Sequence, residues 1–199
     1  MGTIIALVIS SMFVVNIILS KFLGICPFLG ISKKPSNAVG MGFALLFVVT
    51  LSAIICYAID TFVLEPLNLG YLQLLVFILV IASFVQFVEF FMKKYMKSLY
   101  KALGIYLPLI TTNCVVLFVA QEVAKYAPAA ATDLPEWAYM IIFPIATAIG
   151  YMIVITLFSF IRVRIDGQSE TPKPFKGNAI ALITTALMVL AFAAFVGLV

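Results

Sequence analysis

Three cysteines, at positions 26, 56 and 114, are the side chains of this sequence best suited to bind a metal. A thiolate is a strong ligand for iron and zinc, and a thiol pair can also form a disulfide. The sequence contains no histidine, which removes the usual axial ligand of membrane haems and the commonest zinc ligand. The cysteines are therefore the first candidates for ligands of iron or zinc in this chain.

The surroundings of the cysteines separate them into two kinds. Cys56 lies in the uninterrupted apolar run SAIICYAID, and we interpret it as a small buried hydrophobe. Cys26 and Cys114 each have helix breakers close by. These breakers are Gly24 and Pro27 in one case and Gly104 and Pro108 in the other. Unwound backbone at membrane depth is costly unless it is buried in protein and serves a function. A ligand role, a disulfide and simple burial all stay open for this pair.

As metal ligands, Cys26 and Cys114 would supply only part of a site. An ordinary iron–sulfur cluster or structural zinc site takes four ligands, and no histidine is present to complete the set. A second chain would have to supply the remainder. A site on a pseudo-two-fold axis between two similar proteins would be completed in this way.

The composition places these cysteines in a membrane protein. The chain of 199 residues is 65% hydrophobic and 10% charged, with a mean hydropathy of +1.24. Soluble domains carry about 25% charged residues, so a soluble fold could not hide this much apolar surface. The net charge of +4 lies in short segments between apolar runs, and it does not indicate nucleic-acid binding.

Six stretches without charged residues are long enough to cross a bilayer. They are Met1–Ser20, Pro35–Ile59, Pro66–Val88, Ala102–Gln121, Trp137–Ile161 and Gly177–Val199. A helix needs about 20 apolar residues to span the hydrocarbon core, and unpaired backbone groups are not tolerated there. A seventh apolar run, Phe22–Ser32, is too short to cross. Its glycines and proline predict a re-entrant or interfacial segment rather than a straight helix.

The basic residues predict the orientation of the chain. Eleven of the twelve lysines and arginines lie in the first, third and fifth loops. They are Lys21, Lys33, Lys34, Lys93, Lys94, Lys97, Lys101, Arg162, Arg164, Lys173 and Lys176. The positive-inside rule then places these three loops in the cytoplasm and both termini outside.

An odd number of spans in each half would make the two halves run in opposite directions. We therefore expect one transmembrane domain over residues 1–199, built from inverted three-helix repeats at about 1–95 and 96–199. Inverted repeats place functional sites near the midplane, on interrupted helices. The fold class predicted is all-α integral membrane, with six spans and broken helices at the two cysteine sites.

Three segments resemble those of the RnfA family, to which the NqrE subunits are related. They are KFLGICPFLGISKK at Lys21–Lys34, LGIYLPLITTNCVVL at Leu103–Leu117 and PFKGNAIALIT at Pro174–Thr184. The resemblance covers essentially the whole chain. It implies a subunit of the Rnf complex of the bacterial or archaeal plasma membrane. That complex is a redox enzyme that couples ferredoxin:NAD⁺ electron transfer to Na⁺ or H⁺ translocation.

The resemblance also implies a cofactor. Cys26 and Cys114 match the family's ligands to an intramembrane [2Fe–2S] cluster, which is shared with two cysteines of the RnfE homologue in inverted orientation. Other expected partners are the Rnf subunits B, C, D and G and the bilayer itself. No catalytic residue is assigned, because the chain alone holds no complete active site.

Four residues immediately before the cysteines are expected to line the cofactor. They are Gly24, Ile25, Thr112 and Asn113. For Thr112 and Asn113, ordinary hydrogen bonding between helices stays open as an alternative. At the level of the whole chain, the alternatives are an NqrE-type subunit of Na⁺-pumping NADH:quinone reductase, a secondary transporter with inverted repeats, and a scaffold that only anchors other subunits.

Overall fold

The structure is a computed structural model that describes a large part of the chain. The described residues are 8, 11, 21, 23–32, 35–64, 66, 70–95, 109–110, 113–126, 135–167 and 178–196. Within them lie six α-helices. These are α1 (Ile25–Ile31), α2 (Pro35–Ile59), α3 (Gln73–Tyr95), α4 (Cys114–Tyr126), α5 (Glu136–Asp166) and α6 (Asn178–Val196). A π-helical segment, Asp60–Leu64, extends α2, and a 3-10 turn, Gly70–Leu72, leads into α3.

Among the described helices, three are long and apolar enough to cross a membrane, over Pro35–Leu64, Gly70–Phe91 and Trp137–Ile165. A shorter apolar stretch covers Asn178–Phe192. These four helices match the predicted second, third, fifth and sixth spans, so the all-helical membrane class is confirmed. The predicted span Met1–Ser20 lies almost wholly outside the described residues. The predicted span Ala102–Gln121 is described only at 109–110 and from residue 113 onward.

The outer surface of α3 agrees with a lipid environment. Large apolar side chains face outward along its whole length. They are Leu74, Leu75, Ile78, Leu79, Phe87, Phe90 and Phe91. An apolar surface of this extent would associate in water, whereas hydrocarbon tolerates it at no cost.

Two predictions differ from the structure: where the fifth span ends, and whether the run Phe22–Ser32 contains a regular helix. The uncharged run predicts that the fifth span ends at Ile161, but α5 continues to Asp166 and carries Arg162 with it. Arg162 is 3% exposed, because polar groups of the neighbouring helices solvate it inside the protein. The breakers in Phe22–Ser32 argue against a straight helix, yet α1 occupies most of that run. Pro27 is tolerated there because it lies in the first turn, where its missing N–H has no helical partner to lose.

The closest packing in the described fold joins α2 to α5. Residues that recur every three or four positions along α2 are buried within the fold, where α2 packs on α5, α4 and α3. They are Ala38, Met41, Gly42, Leu45, Val48, Val49, Ser52, Ala53 and Cys56. Small residues in this series let the two backbones approach, which is how membrane helices gain van der Waals contact. The tightest point is Gly42, which lies directly against Met152 of α5.

The two halves of the chain share a pattern of packing. Each half presents a short helix that begins at or next to a cysteine, followed by two longer helices. The short helix α1 packs against α6, the last helix of the other half, and α4 likewise packs against α3.

Replacing Gly42 with alanine is expected to destabilise the α2–α5 contact. A Cβ at this position would overlap the side chain of Met152, with the Cβ of Met152 only 2.9 Å away. Overpacking of this kind costs about 1–3 kcal/mol of unfolding free energy. Thermal unfolding of the purified, detergent-solubilised assembly measures the effect. Gly40→Ala is the matched control, since a Cβ there meets nothing within 4 Å, and equal stability of the two variants would contradict the prediction.

Candidate metal centre

The helix that carries Cys26 begins at a left-handed glycine. Gly24 has φ +80° and ψ +19°, a conformation that side chains with a Cβ rarely adopt. The chain therefore turns sharply at Gly24 and enters α1 at Ile25. Cys26, the second residue of α1, is exposed on the outside of the chain. Phe28 and Ile31, on the opposite side of α1, are buried and anchor the helix.

The helix that carries Cys114 begins at the cysteine itself. Asn113 is buried and non-helical, and its Oδ1 accepts a hydrogen bond of 3.1 Å from the backbone N–H of Val115. This is the bond of an asparagine N-cap, which fixes where α4 starts. Cys114 is the first helical residue, and its side chain is exposed.

The two cysteine-bearing turns meet directly. The backbone N–H of Gly24 donates a hydrogen bond of 3.0 Å to the Sγ of Cys114, across 90 residues of sequence. The approach is possible because Gly24 has no side chain. A Cβ on Gly24 would lie 2.7 Å from Cγ2 of Val115 and 3.1 Å from Cε2 of Tyr151. The fold thus places the turn before Cys26 against the sulfur of Cys114.

Residues along one face of α5 pack against the α1 segment and hydrogen-bond to it. Tyr151 lies under the start of α1, and the ring of Phe158 stacks on that of Phe28 with 4.2 Å between centroids. Ser159 Oγ donates a hydrogen bond of 2.8 Å to the carbonyl oxygen of Ser32. These contacts hold α1 against α5, with its cysteine turned toward the surface.

A buried arginine completes this support at the far end of α1. The Nη1 of Arg162 donates to the carbonyl oxygen of Leu29 at 2.6 Å and to Ser32 Oγ at 2.8 Å. Its Nη2 donates to Asn178 Oδ1 at 3.3 Å. A cation at a helix C-terminus donates hydrogen bonds to the last carbonyl oxygens and interacts favourably with the negative end of the helix dipole. Arg162 therefore joins the end of α1 to α5 and to the start of α6.

The family profile described as "Rnf-Nqr subunit, membrane protein" matches residues 4–199 of this chain. The chain belongs to the Rnf-Nqr family. The family predicted from the three sequence motifs is thereby confirmed.

Relatives of this Rnf-Nqr chain match it over almost their whole length. The A subunit of the ion-translocating oxidoreductase complex of Shewanella loihica is 45% identical over 199 residues, covering 100% of both chains. The A subunit of the Na⁺-translocating ferredoxin:NAD⁺ oxidoreductase complex of Acetobacterium woodii is 47% identical over 196 residues, 98% of each chain. The A subunit of the ion-translocating complex of Aliivibrio fischeri is 47% identical over 193 residues, 97% of this chain and 96% of its own. The relatives are thus subunits of redox enzyme complexes.

The structure brings together most of the predicted site residues of this Rnf-Nqr protein. Gly24 contacts the Cys114 sulfur, Ile25 starts α1, and Asn113 caps α4. Thr112 lies outside the described residues. Cys56 is fully buried in the packed face of α2, as predicted for a small hydrophobe.

Two residues of α5 that contact the α1 segment are not indicated by any sequence motif. Tyr151 lies in the middle of a predicted span, whereas membrane tyrosines concentrate at the interfaces, and this unusual depth was the available signal. Arg162 was counted as a loop charge that sets orientation. Nothing in the run FIRVRID marks it as buried, because its hydrogen-bond acceptors come from remote segments.

The donor set of the described residues fits half of a sulfur-ligated metal centre. All three cysteines are free thiols, and Cys26 and Cys114 are both exposed. Among the described residues, no group of three or more histidine, cysteine or acidic side chains converges on one point. A cluster that needs four thiolates could be held here only if another chain covered this surface.

Proposed function

We propose that this chain is the A-type subunit of an Rnf complex, which couples electron transfer between ferredoxin and NAD⁺ to Na⁺ or H⁺ movement across the membrane. The full-length match to relatives that carry this name supports the assignment. Within the Rnf-Nqr family, these names favour the Rnf type over an NqrE-type subunit. They also favour a redox complex over a secondary transporter.

The role proposed for the chain is to hold one half of an intramembrane [2Fe–2S] cluster. Cys26 and Cys114 would supply two ligands, and two cysteines of a homologous partner in inverted orientation, the RnfE type, would supply the others. The hydrogen bond from Gly24 N–H to Cys114 Sγ carries this proposal, because it joins the two cysteine turns at the surface of the chain. When bound, such a cluster accepts and releases a single electron.

The protein groups around the thiols are suited to an anionic cofactor in a low-dielectric environment. A net charge is costly within the bilayer, so it needs nearby dipoles. The Gly24 N–H already points at one sulfur, and the first turn of α4 presents its positive end to the same sulfur. The supports from α5 keep α1 from shifting when the charge of the cofactor changes. Ile25, Thr112 and Asn113 complete the proposed lining.

The proposed architecture has six spans in two inverted halves, about 1–95 and 96–199. The reciprocal packing of α1 on α6 and of α4 on α3 supports this arrangement. The excess of basic residues in loops one, three and five supports a cytoplasmic location for these loops, with both termini outside. Partners would then be the RnfE-type homologue, the Rnf subunits B, C, D and G, and the bilayer.

Electron paramagnetic resonance and iron analysis of the purified complex test the cluster. Cys114→Ser is expected to remove a [2Fe–2S] signal and its iron, because a hydroxyl is a poor replacement for a thiolate ligand. Cys56→Ser is the matched control, since Cys56 lies in the buried face of α2 and should leave that signal intact. Ferredoxin:NAD⁺ turnover should fall to background in Cys114→Ser alone.

An unchanged [2Fe–2S] signal in Cys114→Ser would refute the ligand assignment. The electron donor separates the Rnf type from the NqrE type. A complex that oxidises reduced ferredoxin with NAD⁺ supports the first, and one that oxidises NADH with quinone supports the second.

A further inference from the structure

Tyr151 carries a buried hydroxyl with no described partner. Its side chain is 1% exposed in the middle of α5, and the hydroxyl forms no hydrogen bond of ordinary geometry with the described residues. A polar group buried without a partner is unfavourable, and at membrane depth water is not at hand to satisfy it. Native proteins keep few such groups, and each one calls for an explanation such as an unseen ligand.

The Tyr151 side chain is buried at the turn that precedes Cys26. Its ring packs against Gly24, with Cε2 3.1 Å from the position that a Cβ would take there. The backbone N–H of the same Gly24 donates its hydrogen bond to the sulfur of Cys114. The buried ring and the exposed cysteines therefore lie on either side of one turn.

A second donor lies at the same place. The side chain of Asn113 lies close enough to the Tyr151 hydroxyl to interact with it, and neither Asn113 Nδ2 nor the hydroxyl forms a hydrogen bond of ordinary geometry among the described residues. Asn113 Oδ1 is already used by the Val115 N–H, so the amide cannot rotate to satisfy its nitrogen without losing the N-cap. Two unsatisfied donors and two thiols thus converge on one region.

We propose that the Tyr151 hydroxyl, assisted by the Asn113 amide, donates a hydrogen bond to a sulfur atom of the cofactor held by Cys26 and Cys114. This inference rests on the cluster proposed above. A reduced cluster carries one more negative charge than an oxidised one, so a hydrogen-bond donor stabilises the reduced form more. Donors to cluster sulfurs raise the reduction potential for this reason. Tyr151 then tunes the potential without ligating iron.

Tyr151→Phe in the intact complex tests this role, because it removes the hydroxyl and keeps the ring. Iron content and the amplitude of the Cys114-dependent signal should stay at wild-type levels. The redox titration of that signal should move to a more negative potential, with the equilibrium changed by about tenfold, or about 59 mV for one electron. An exchangeable proton coupled to the cluster, seen in electron–nuclear double resonance, should disappear.

Tyr139→Phe is the matched control. Tyr139 lies on the same helix, half-buried and stacked on Phe143, about three turns before Tyr151. The reduction potential of the cluster in Tyr139→Phe should equal that in the wild type. Wild-type potential and proton coupling in fully loaded Tyr151→Phe would overturn the inference, and so would loss of the cluster, which would indicate a packing role. Absence of any Cys114-dependent signal in the wild type would instead refute the proposed cluster.

Discussion

Replacing Arg162 with glutamine is expected to lower the unfolding free energy by roughly 3 kcal/mol, the sum of two hydrogen bonds from a charged donor at about 1.5 kcal/mol each. The change leaves the carbonyl oxygen of Leu29 and the hydroxyl of Ser32 without their buried donor. It also breaks the bond to Asn178, which ties the start of α6 to this junction. The loss is large because Ser32 is fully buried, so water does not replace the arginine there.

The consequence should extend from the end of α1 to Cys26. Helix α1 has only seven residues, so an isolated helix of this length would not be stable and depends on its tertiary contacts. Loosening its C-terminal end should let Cys26 move relative to Cys114. For Arg162→Gln we expect both a lower melting temperature of the purified complex and a lower iron content than in the wild type.

Arg164→Gln is the matched control for Arg162→Gln. Arg164 lies two residues further along α5 and is exposed, so it carries the same charge without the buried bonds. Arg162→Lys gives a second comparison, because lysine keeps the charge but lacks the planar fork that reaches several acceptors at once. Equal melting temperatures of Arg162→Gln and Arg164→Gln would show that the buried bonds do not stabilise the fold.

The sequence could predict the membrane helices well because lipid imposes a simple rule on composition. Helix α2 begins at Pro35 and ends at Ile59, as the uncharged run predicts, before a π-helical extension. That extension carries Asp60, which accepts a hydrogen bond of 3.0 Å from Gln73 Nε2 and so joins α2 to the start of α3. The prediction failed at the end of α5, because it ends each span at the first charged residue. Arg162 remains buried within the protein because Leu29, Ser32 and Asn178 accept its hydrogen bonds.

The position of the candidate site was only partly accessible from sequence. Glycine and proline beside Cys26 and Cys114 indicated interrupted helices, and both helices do begin there. Their meeting at Gly24 and Cys114 is a contact across 90 residues, which no local pattern encodes. The apolar sequence around Tyr151 is typical of a membrane span. Only the fold shows that its ring packs against Gly24, the residue whose N–H bonds to the Cys114 sulfur.

Gly24→Ala is expected to separate the two cysteine turns. A non-glycine residue at φ +80° costs about 1–2 kcal/mol from backbone strain alone. The added Cβ would also lie 2.7 Å from Val115 Cγ2 and 3.1 Å from the Tyr151 ring. Both neighbours are buried and close-packed, at 0% and 1% exposure, so neither can move away cheaply. The start of α4 must shift, and Cys114 moves with it.

Loss of the Gly24 N–H bond to Cys114 should lower cluster occupancy several-fold. Cluster occupancy is measured by the iron content and by the amplitude of the Cys114-dependent signal. Mass spectrometry of the same sample checks that all subunits of the complex are present. Gly30→Ala is the matched control, because it adds a Cβ to the same short helix where nothing lies within 4 Å. Full occupancy in Gly24→Ala would mean that the close approach at Gly24 does not hold the thiols together.

A double mutant separates the steric part of this effect from backbone strain. Val115→Ala removes the Cγ2 atom that the new Cβ would meet, and the two substitutions are in contact, so their effects should not add. If steric overlap dominates, Gly24→Ala combined with Val115→Ala recovers much of the lost iron. If the left-handed backbone dominates, the double mutant stays as poor as Gly24→Ala, and Gly24→Asn, which tolerates positive φ better, recovers more. Because the new Cβ would lie only 2.7 Å from Val115 Cγ2, closer than Cβ atoms approach their neighbours in proteins, we expect the first pattern.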